Sequence, residues 1–345
     1  MTKSRLFLSA AVAIGAALSA LAAHAQEVTL KLHQFLPAQS AVPAHILDPW
    51  ADAIETDSGG RIRIERYPSM QLGGKPPELI DQVRDGVVDF VWTLPGYTPG
   101  RFPRMEVVEL PFMMNDAEST SRALWSLFES DMKDTEFKDY HVIGVWVHGP
   151  GVIHSREPIP SIEAMRGKKL RAPTRIVTSL LSELGATAVG MPVPALPEQL
   201  SKGVIDGAVI PWEVTSSVKV HELVRNHTEF GGDRALYTAA FVLAMNKARY
   251  ESLPDDLKAV IDRHSGLDFS ANAGKTQQGD DAPARVVAAQ AGNSIVTLDT
   301  AEVDKWKAAA EPVRAKWIAE MAERGIDGQS LFDRATALIG AKGGQ

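Results

Sequence analysis

The sequence contains no cysteine. Disulfides, thiolate catalysis and every metal or iron–sulfur site that needs a cysteine ligand are thereby excluded. Positive charge is also short: 36 Lys and Arg stand against 43 Asp and Glu, a formal charge of −7. Binding of a nucleic acid through bulk charge is therefore not expected. After residue 25 no segment reaches the ~18 consecutive apolar residues that a membrane span requires. No low-complexity linker divides the chain, so any domains must be tied together by segments crossing between them. A chain of 345 residues, 45% hydrophobic and 23% charged, suggests an ordinary globular protein of about two domains.

Catalytic signatures are missing as well. Ala273-Gly274-Lys275-Thr276 imitates the end of a phosphate loop, but Phe269 stands where the earlier glycine is required. No G-x-S-x-G elbow occurs. His221 and His227 are six residues apart, which puts them on different faces of a helix and rules out a two-histidine helical zinc site. Asp280-Asp281 lies in a polar helical stretch and reads as a solvated face. Glu213 is a single carboxylate, and one carboxylate does not make a metal site. Neither a cofactor nor a metal is expected, and the chain does not read as an enzyme.

Residues 1–25 have the composition of an export signal. Lys3 and Arg5 precede an uncharged apolar run from Leu6 to Ala22, and Ala23-His24-Ala25 is an A-x-A cleavage pattern with Gln26 as the mature start. In a bacterium this sends the protein to the periplasm. The remainder alternates short β-branched runs with helical ones, the pattern of an α/β fold. Strands are predicted at 28–35, 61–67, 87–94, 142–148, 169–172, 207–211 and 241–246. Helices are predicted near 43–57, 77–85, 117–133, 176–184 and 195–202, with mostly helix from Pro254 onward. Gln82-Val83-Arg84-Asp85-Gly86-Val87-Val88-Asp89 returns as Gln199-Leu200-Ser201-Lys202-Gly203-Val204-Ile205-Asp206, 117 residues later. Each copy reads as a helix ending at a glycine and leading into a buried strand. The repetition points to two similarly built α/β lobes whose strand ends surround one cleft.

Several motifs carry a resemblance. Ser58-Gly59-Gly60-Arg61-Ile62 leads to Pro68-Ser69-Met70-Gln71-Leu72-Gly73-Gly74. Glu109-Leu110-Pro111-Phe112, Gly167-Lys168-Lys169-Leu170-Arg171-Ala172-Pro173, Leu184-Gly185-Ala186-Thr187 with Met191-Pro192, Gly203-Val204-Ile205-Asp206-Gly207 and Met245-Asn246-Lys247 follow in order. In this series the chain resembles the solute-binding proteins of tripartite ATP-independent periplasmic (TRAP) transporters, the DctP family. The resemblance implies a two-lobed, class II-like fold with crossing strands, a long bracing helix and a ligand cleft between the lobes. Lobe I would comprise 26–148 plus about 238–280, and lobe II 149–237 plus about 281–310. The remaining helices, 311–345, would pack across both. It also implies an organic-acid ligand and delivery to the small and large subunits of a membrane permease driven by an ion gradient. A monomer is expected, with a dimer through the tail around Trp306 and Trp317 as the alternative.

By the same resemblance Arg171 is the residue that pairs with the ligand carboxylate, and its planar guanidinium suits that role. Arg175 is either a second cation or a surface helix start. The place where many dicarboxylate and sialic-acid receptors carry another arginine falls near Gly151, and Ala208-Val209-Ile210 replaces a polar run. In exchange the sequence offers Phe35, Trp92, Tyr97, Trp146, Trp212, Tyr237 and Phe241 as cleft aromatics. Gln39, Ser40, Gln71, Thr93 and His148 are further candidates for ligand contact. An aromatic monocarboxylate is the leading expectation, because a second charge would sit unpaired among aromatic walls. The alternatives are C4-dicarboxylates, short aliphatic 2-oxo or hydroxy acids, sulfonates, or, from a different class, an enzyme acting on a small acid.

Overall fold

The computed structural model describes residues 28–341. The export signal predicted for 1–25 lies outside that range. Eleven strands occur among the described residues: β1 (Val28–His33), β2 (Ile62–Tyr67), β3 (Phe90–Thr93), β4 (Tyr140–Val147), β5 (Val152–Ser155), β6 (Lys169–Ala172), β7 (Thr187–Gly190), β8 (Gly207–Ile210), β9 (Asn226–Phe230), β10 (Ala240–Asn246) and β11 (Ser294–Leu298). They form two sheets, ordered β2-β1-β3-β10-β4 and β11-β9-β5-β8-β6-β7. In the first, β2, β1 and β3 are parallel and β10 runs antiparallel between β3 and β4. The second repeats the scheme: β7, β6 and β8 are parallel, and β5 runs antiparallel between β8 and β9.

The sequence echo lies at equivalent points of these sheets. Gly86 and Gly203 adopt φ of +73° and +67°, a left-handed step that terminates a helix at low steric cost only for glycine. The chain then turns, and the Val87 and Val204 amides donate back to the Gln82 and Gln199 carbonyls. Each echo ends on an aspartate that latches onto the neighbouring strand. The Asp89 carboxylate accepts from the Lys31 amide at 2.7 Å and that of Asp206 from the Lys169 amide at 2.8 Å. Val87 therefore belongs to the turn and is 61% exposed, so β3 begins at Phe90 and not at the predicted residue 87.

The two sheets are joined by crossing segments. β4 passes to β5 through residues 148–151, and β9 returns to β10 through 231–239. These two run side by side: the Gly151 amide donates to the Tyr237 carbonyl and the Ala239 amide to His148 Nε2, both at 3.0 Å. The helix Thr300–Glu323 braces both halves. Trp306 packs edge-on against Phe230 at the end of β9, and Trp317 donates its indole N–H to Glu106, between β3 and the helix Ala117–Leu127. Both tryptophans are fully buried in this chain, so they form core and not a dimer surface.

Strands β5, β7, β9 and β11 were not anticipated. β7, β9 and β11 are polar or half-exposed, and strands of that kind depend on neighbours for their pairing more than on their own composition. β11 also interrupts the helix-rich reading of the region after Pro254.

Candidate functional site

The carboxyl ends of β1, β3, β6, β7 and β8 converge, with the crossing segments, on one cavity of about 390 Å³ including its open mouth. This is where ligands of open α/β sheets are held. Arg171, on β6, is 2% exposed. Its Nε donates to the Met191 carbonyl at 2.8 Å and its Nη1 to the Val209 carbonyl at 3.3 Å. Among the described residues no carboxylate lies within ion-pair distance of it. Burial lowers its pKa, and the Tyr97 and Tyr237 hydroxyls only partly offset that effect. A buried cation without a counterion is costly unless something else supplies the charge.

The walls are aromatic. Phe35 stacks on Trp92 with ring centres 4.5 Å apart, Trp92 on Phe241 at 5.2 Å, and Phe241 on Trp146 at 5.8 Å. Tyr97 meets Phe35 edge-on at 5.8 Å, and its hydroxyl accepts from the Val193 amide across the cleft. Leu36, Leu94, Val193, Ile210 and Pro211 complete an apolar lining. Three polar atoms of the lining, the Tyr237 hydroxyl, the Trp92 indole N–H and Glu213 Oε2, are buried without a hydrogen-bond partner among the described residues. Unpaired buried groups of this kind are rare in folded proteins and mark a place where another molecule completes the bonding.

His148 also lines the cavity, yet both ring nitrogens are engaged. Nδ1 contacts the Gly149 carbonyl at 2.5 Å and Nε2 accepts from the Ala239 amide. Burial, with Arg171 adding to it, depresses its pKa to about 4, so the ring is neutral. It holds the two crossing segments together. Gly151 leaves the space for Tyr237: a Cβ there would fall inside the tyrosine ring. The position that carries a second arginine in the dicarboxylate pattern is thus filled by an aromatic ring.

Of the residues expected at the site, the cavity gathers Phe35, Trp92, Tyr97, His148, Arg171, Tyr237 and Phe241. It does not gather Trp212. β8 ends at Ile210 and the chain turns from residue 212, so Ile210, Pro211, Glu213 and Val214 all face the cavity while Trp212 is turned away, packing against His154 at 4.9 Å and donating to Glu229 at 2.9 Å. Thr93 does not face in because it lies in β3 between Trp92 and Leu94, which do, and side chains alternate along a strand. Trp146 stands one layer back, behind Phe241, with its N–H given to Gln277 at 2.8 Å. Ser40 is buried outside the lining, and Gln39 and Gln71 are exposed. Glu213 was missed as a wall group, because it lies in the turn after β8, where no strand periodicity indicates which side chain faces in. Arg175 is neither a ligand cation nor a free surface residue, being bound to Glu106 and Glu320. Asp281 is no solvated face either: its carboxylate turns inward and accepts from the Glu213 amide at 2.9 Å.

The surroundings of the cavity hold protonated acids. Glu109 accepts from the Ala240 amide at 3.1 Å, and burial pushes its carboxyl up to about 8. A glutamate ionises near 4.5 when unperturbed. Between those two values the folded chain keeps a proton that the unfolded chain has released, so stability falls as pH rises through that window. Thermal melts of the ligand-free protein from pH 5 to 8 should show that decline, and Glu109→Gln should make it shallower, the rest coming from other buried acids such as Glu213. Identical slopes for both proteins would mean that Glu109 is ionised in the folded state.

Comparison with known proteins follows from this geometry. Residues 34–320 match the family described as bacterial extracellular solute-binding protein, family 7. A TRAP solute-binding protein from Rhodoferax ferrireducens, solved with copurified benzoate, is 52% identical, with a TM-score of 0.89 over 90% of this chain and 97% of its own. A marine metagenome TRAP protein specific for aromatic acids, in complex with 3-hydroxybenzoate, is 48% identical, with a TM-score of 0.90 over 93% and 100% of the two chains. A third, from Bordetella bronchiseptica with bound mandelate, is 30% identical, with a TM-score of 0.83 over 90% and 98%.

Proposed function

The chain belongs to the family 7 bacterial extracellular solute-binding proteins, the receptors of TRAP transporters, and on that premise we propose that its cavity takes an aromatic monocarboxylate. Such receptors are binding proteins and not enzymes, and they work with membrane permease components. The observation that carries the ligand assignment is Arg171, buried without a counterion beside a stack of aromatic rings. A carboxylate supplies the missing charge by accepting two parallel N–H hydrogen bonds from the guanidinium. An aryl group buries its faces against Phe35, Trp92 and Phe241 and meets the edges of Tyr97 and Tyr237. No second cation lines the cavity among the described residues, so a dicarboxylate would leave one charge unpaired. The ligands of the related receptors, benzoate, 3-hydroxybenzoate and mandelate, fall in the same chemical class.

Binding proceeds by closure of two lobes, built on the two sheets and hinged at the crossing segments 148–151 and 231–239. The bond from the Val193 amide to Tyr97 and the close fit of Gly96 against Thr174 are contacts of the closed form. A ligand shifts the equilibrium toward that form only by binding it better than the open one. The receptor acts as a monomer, exported to the periplasm by the signal in residues 1–25. Thermal-shift titration of residues 26–345 tests this reading. Aryl monocarboxylates at about a thousand times their Kd should add roughly 4 kcal/mol of stability, and matched C4-dicarboxylates should add almost none. Stabilisation by the dicarboxylates alone would overturn the ligand class.

A further inference from the structure

One acidic side chain of the cavity wall uses only half of its carboxyl within the protein. Glu213 follows β8, lines the cavity and is 7% exposed. Its Oε1 accepts from Gln277 Nε2 at 2.8 Å. The orientation of that amide is not arbitrary: its oxygen accepts from the Trp146 indole N–H, which can only donate. Gln277 must therefore present its NH2 group to Glu213. The second oxygen, Oε2, is buried and has no hydrogen-bond partner among the described residues.

From this we propose that Glu213 is the second polar anchor of the cavity: its carboxyl hydrogen-bonds an oxygen substituent of the bound acid, a hydroxyl or keto group, while Arg171 holds the carboxylate. The inference rests on the aromatic-acid reading and narrows it to oxygenated aryl acids.

The electrostatics around Glu213 set the form in which it acts. Among the described residues no cation lies within ion-pair distance of it. The acids that act on it are Asp281, whose own carboxyl is pushed up to about 7 by burial, and Asp280, which is paired with His45, both at the start of the helix Asp281–Gln290. His148 and Tyr237, also on the cavity wall, are neutral. Burial, reinforced by the two aspartates, pushes the carboxyl up to about 8. At neutral pH Glu213 thus keeps a proton. Gln277 occupies Oε1 as an acceptor, which leaves the proton on Oε2 with nothing on the protein to receive it. A neutral carboxyl in that position donates to an ether, keto or hydroxyl oxygen and does not repel an anionic ligand. Above pH 8 it becomes a second negative charge in a cavity already holding a carboxylate.

Calorimetric titration with two matched pairs, benzoate with 3-hydroxybenzoate and phenylacetate with mandelate, tests the assignment. The wild type should prefer at least one oxygenated member over its parent by roughly tenfold or more, the discrimination expected when a buried group would otherwise stay unpaired. Glu213→Leu should bring that ratio close to one. Affinity of the wild type for the oxygenated acid should fall between pH 7 and 9. Glu213→Gln, which cannot ionise, should not show that fall. Circular dichroism and the thermal midpoint establish that each variant is folded. A wild type that binds both members of each pair equally overturns this inference and leaves the aromatic-acid reading standing. An unchanged ratio in folded Glu213→Leu overturns it as well. Failure of the wild type to bind any of the four overturns both.

Discussion

Arg171→Ala is expected to weaken binding of an aryl carboxylate by roughly 10²- to 10³-fold, the cost of removing one partner from a buried charge pair. The ligand-free protein should melt within a few degrees of the wild type. Two effects oppose each other in the empty cavity. The substitution leaves the Met191 and Val209 carbonyls without their donor, and it also removes a buried charge that no side chain among the described residues neutralises. Arg171→Lys keeps the charge but loses the planar fork, so its affinity should fall between the two. Calorimetry on the three proteins measures the effect. Binding by Arg171→Ala within threefold of wild type would show that the anion is held elsewhere, and an unfolded variant would make the arginine structural.

Glu106→Ala is expected to cost about 3 kcal/mol of stability, the lower end of the range for breaking a buried ion pair. At 2–4 °C for each kcal/mol in chains of comparable size, the thermal midpoint should fall by roughly 10 °C. Arg175 grips Glu106 through Nε and Nη2 and reaches Glu320 through Nη1, while Trp317 donates to the same Glu106 carboxylate at 3.1 Å. Three distant segments of chain meet in this cluster. Removing Glu106 strands a guanidinium that retains one carboxylate and an indole that retains none. A double replacement by apolar residues, Glu106→Leu with Arg175→Met, should recover much of the loss, since a buried pair contributes little beyond its hydrophobic substitute. A drop of less than 2 °C in Glu106→Ala would mean that solvent already screens the pair.

Much of this protein is legible in its sequence. The echo of residues 82–89 at 199–206 reports two lobes, because a helix ending at glycine before a buried strand is a local event written in adjacent residues. The absence of cysteine and of catalytic motifs excludes whole classes of chemistry. The ordered motifs select the family, and within them Arg171 is the residue expected to meet the ligand anion.

What only the tertiary structure decided is which side chains face the cavity and which charges are already spent. Thr93 is one residue out of phase with Trp92, and Trp212 lies at the turn after β8, where no alternation holds. Along an extended chain a single step reverses the face, and composition does not record the phase at a strand end. Arg171 and Arg175 are four residues apart and chemically identical. One is without a counterion because no acid among the described residues reaches it, and the other is neutralised by Glu106 and Glu320, 69 positions before and 145 after it. Asp281 reads as surface in a polar helix, and it turns inward because the Glu213 amide comes to it from 68 positions away. Local sequence sets periodicity, turns and caps, since those energies act between neighbours. Pairing of buried polar groups acts between residues that only the folded chain brings together.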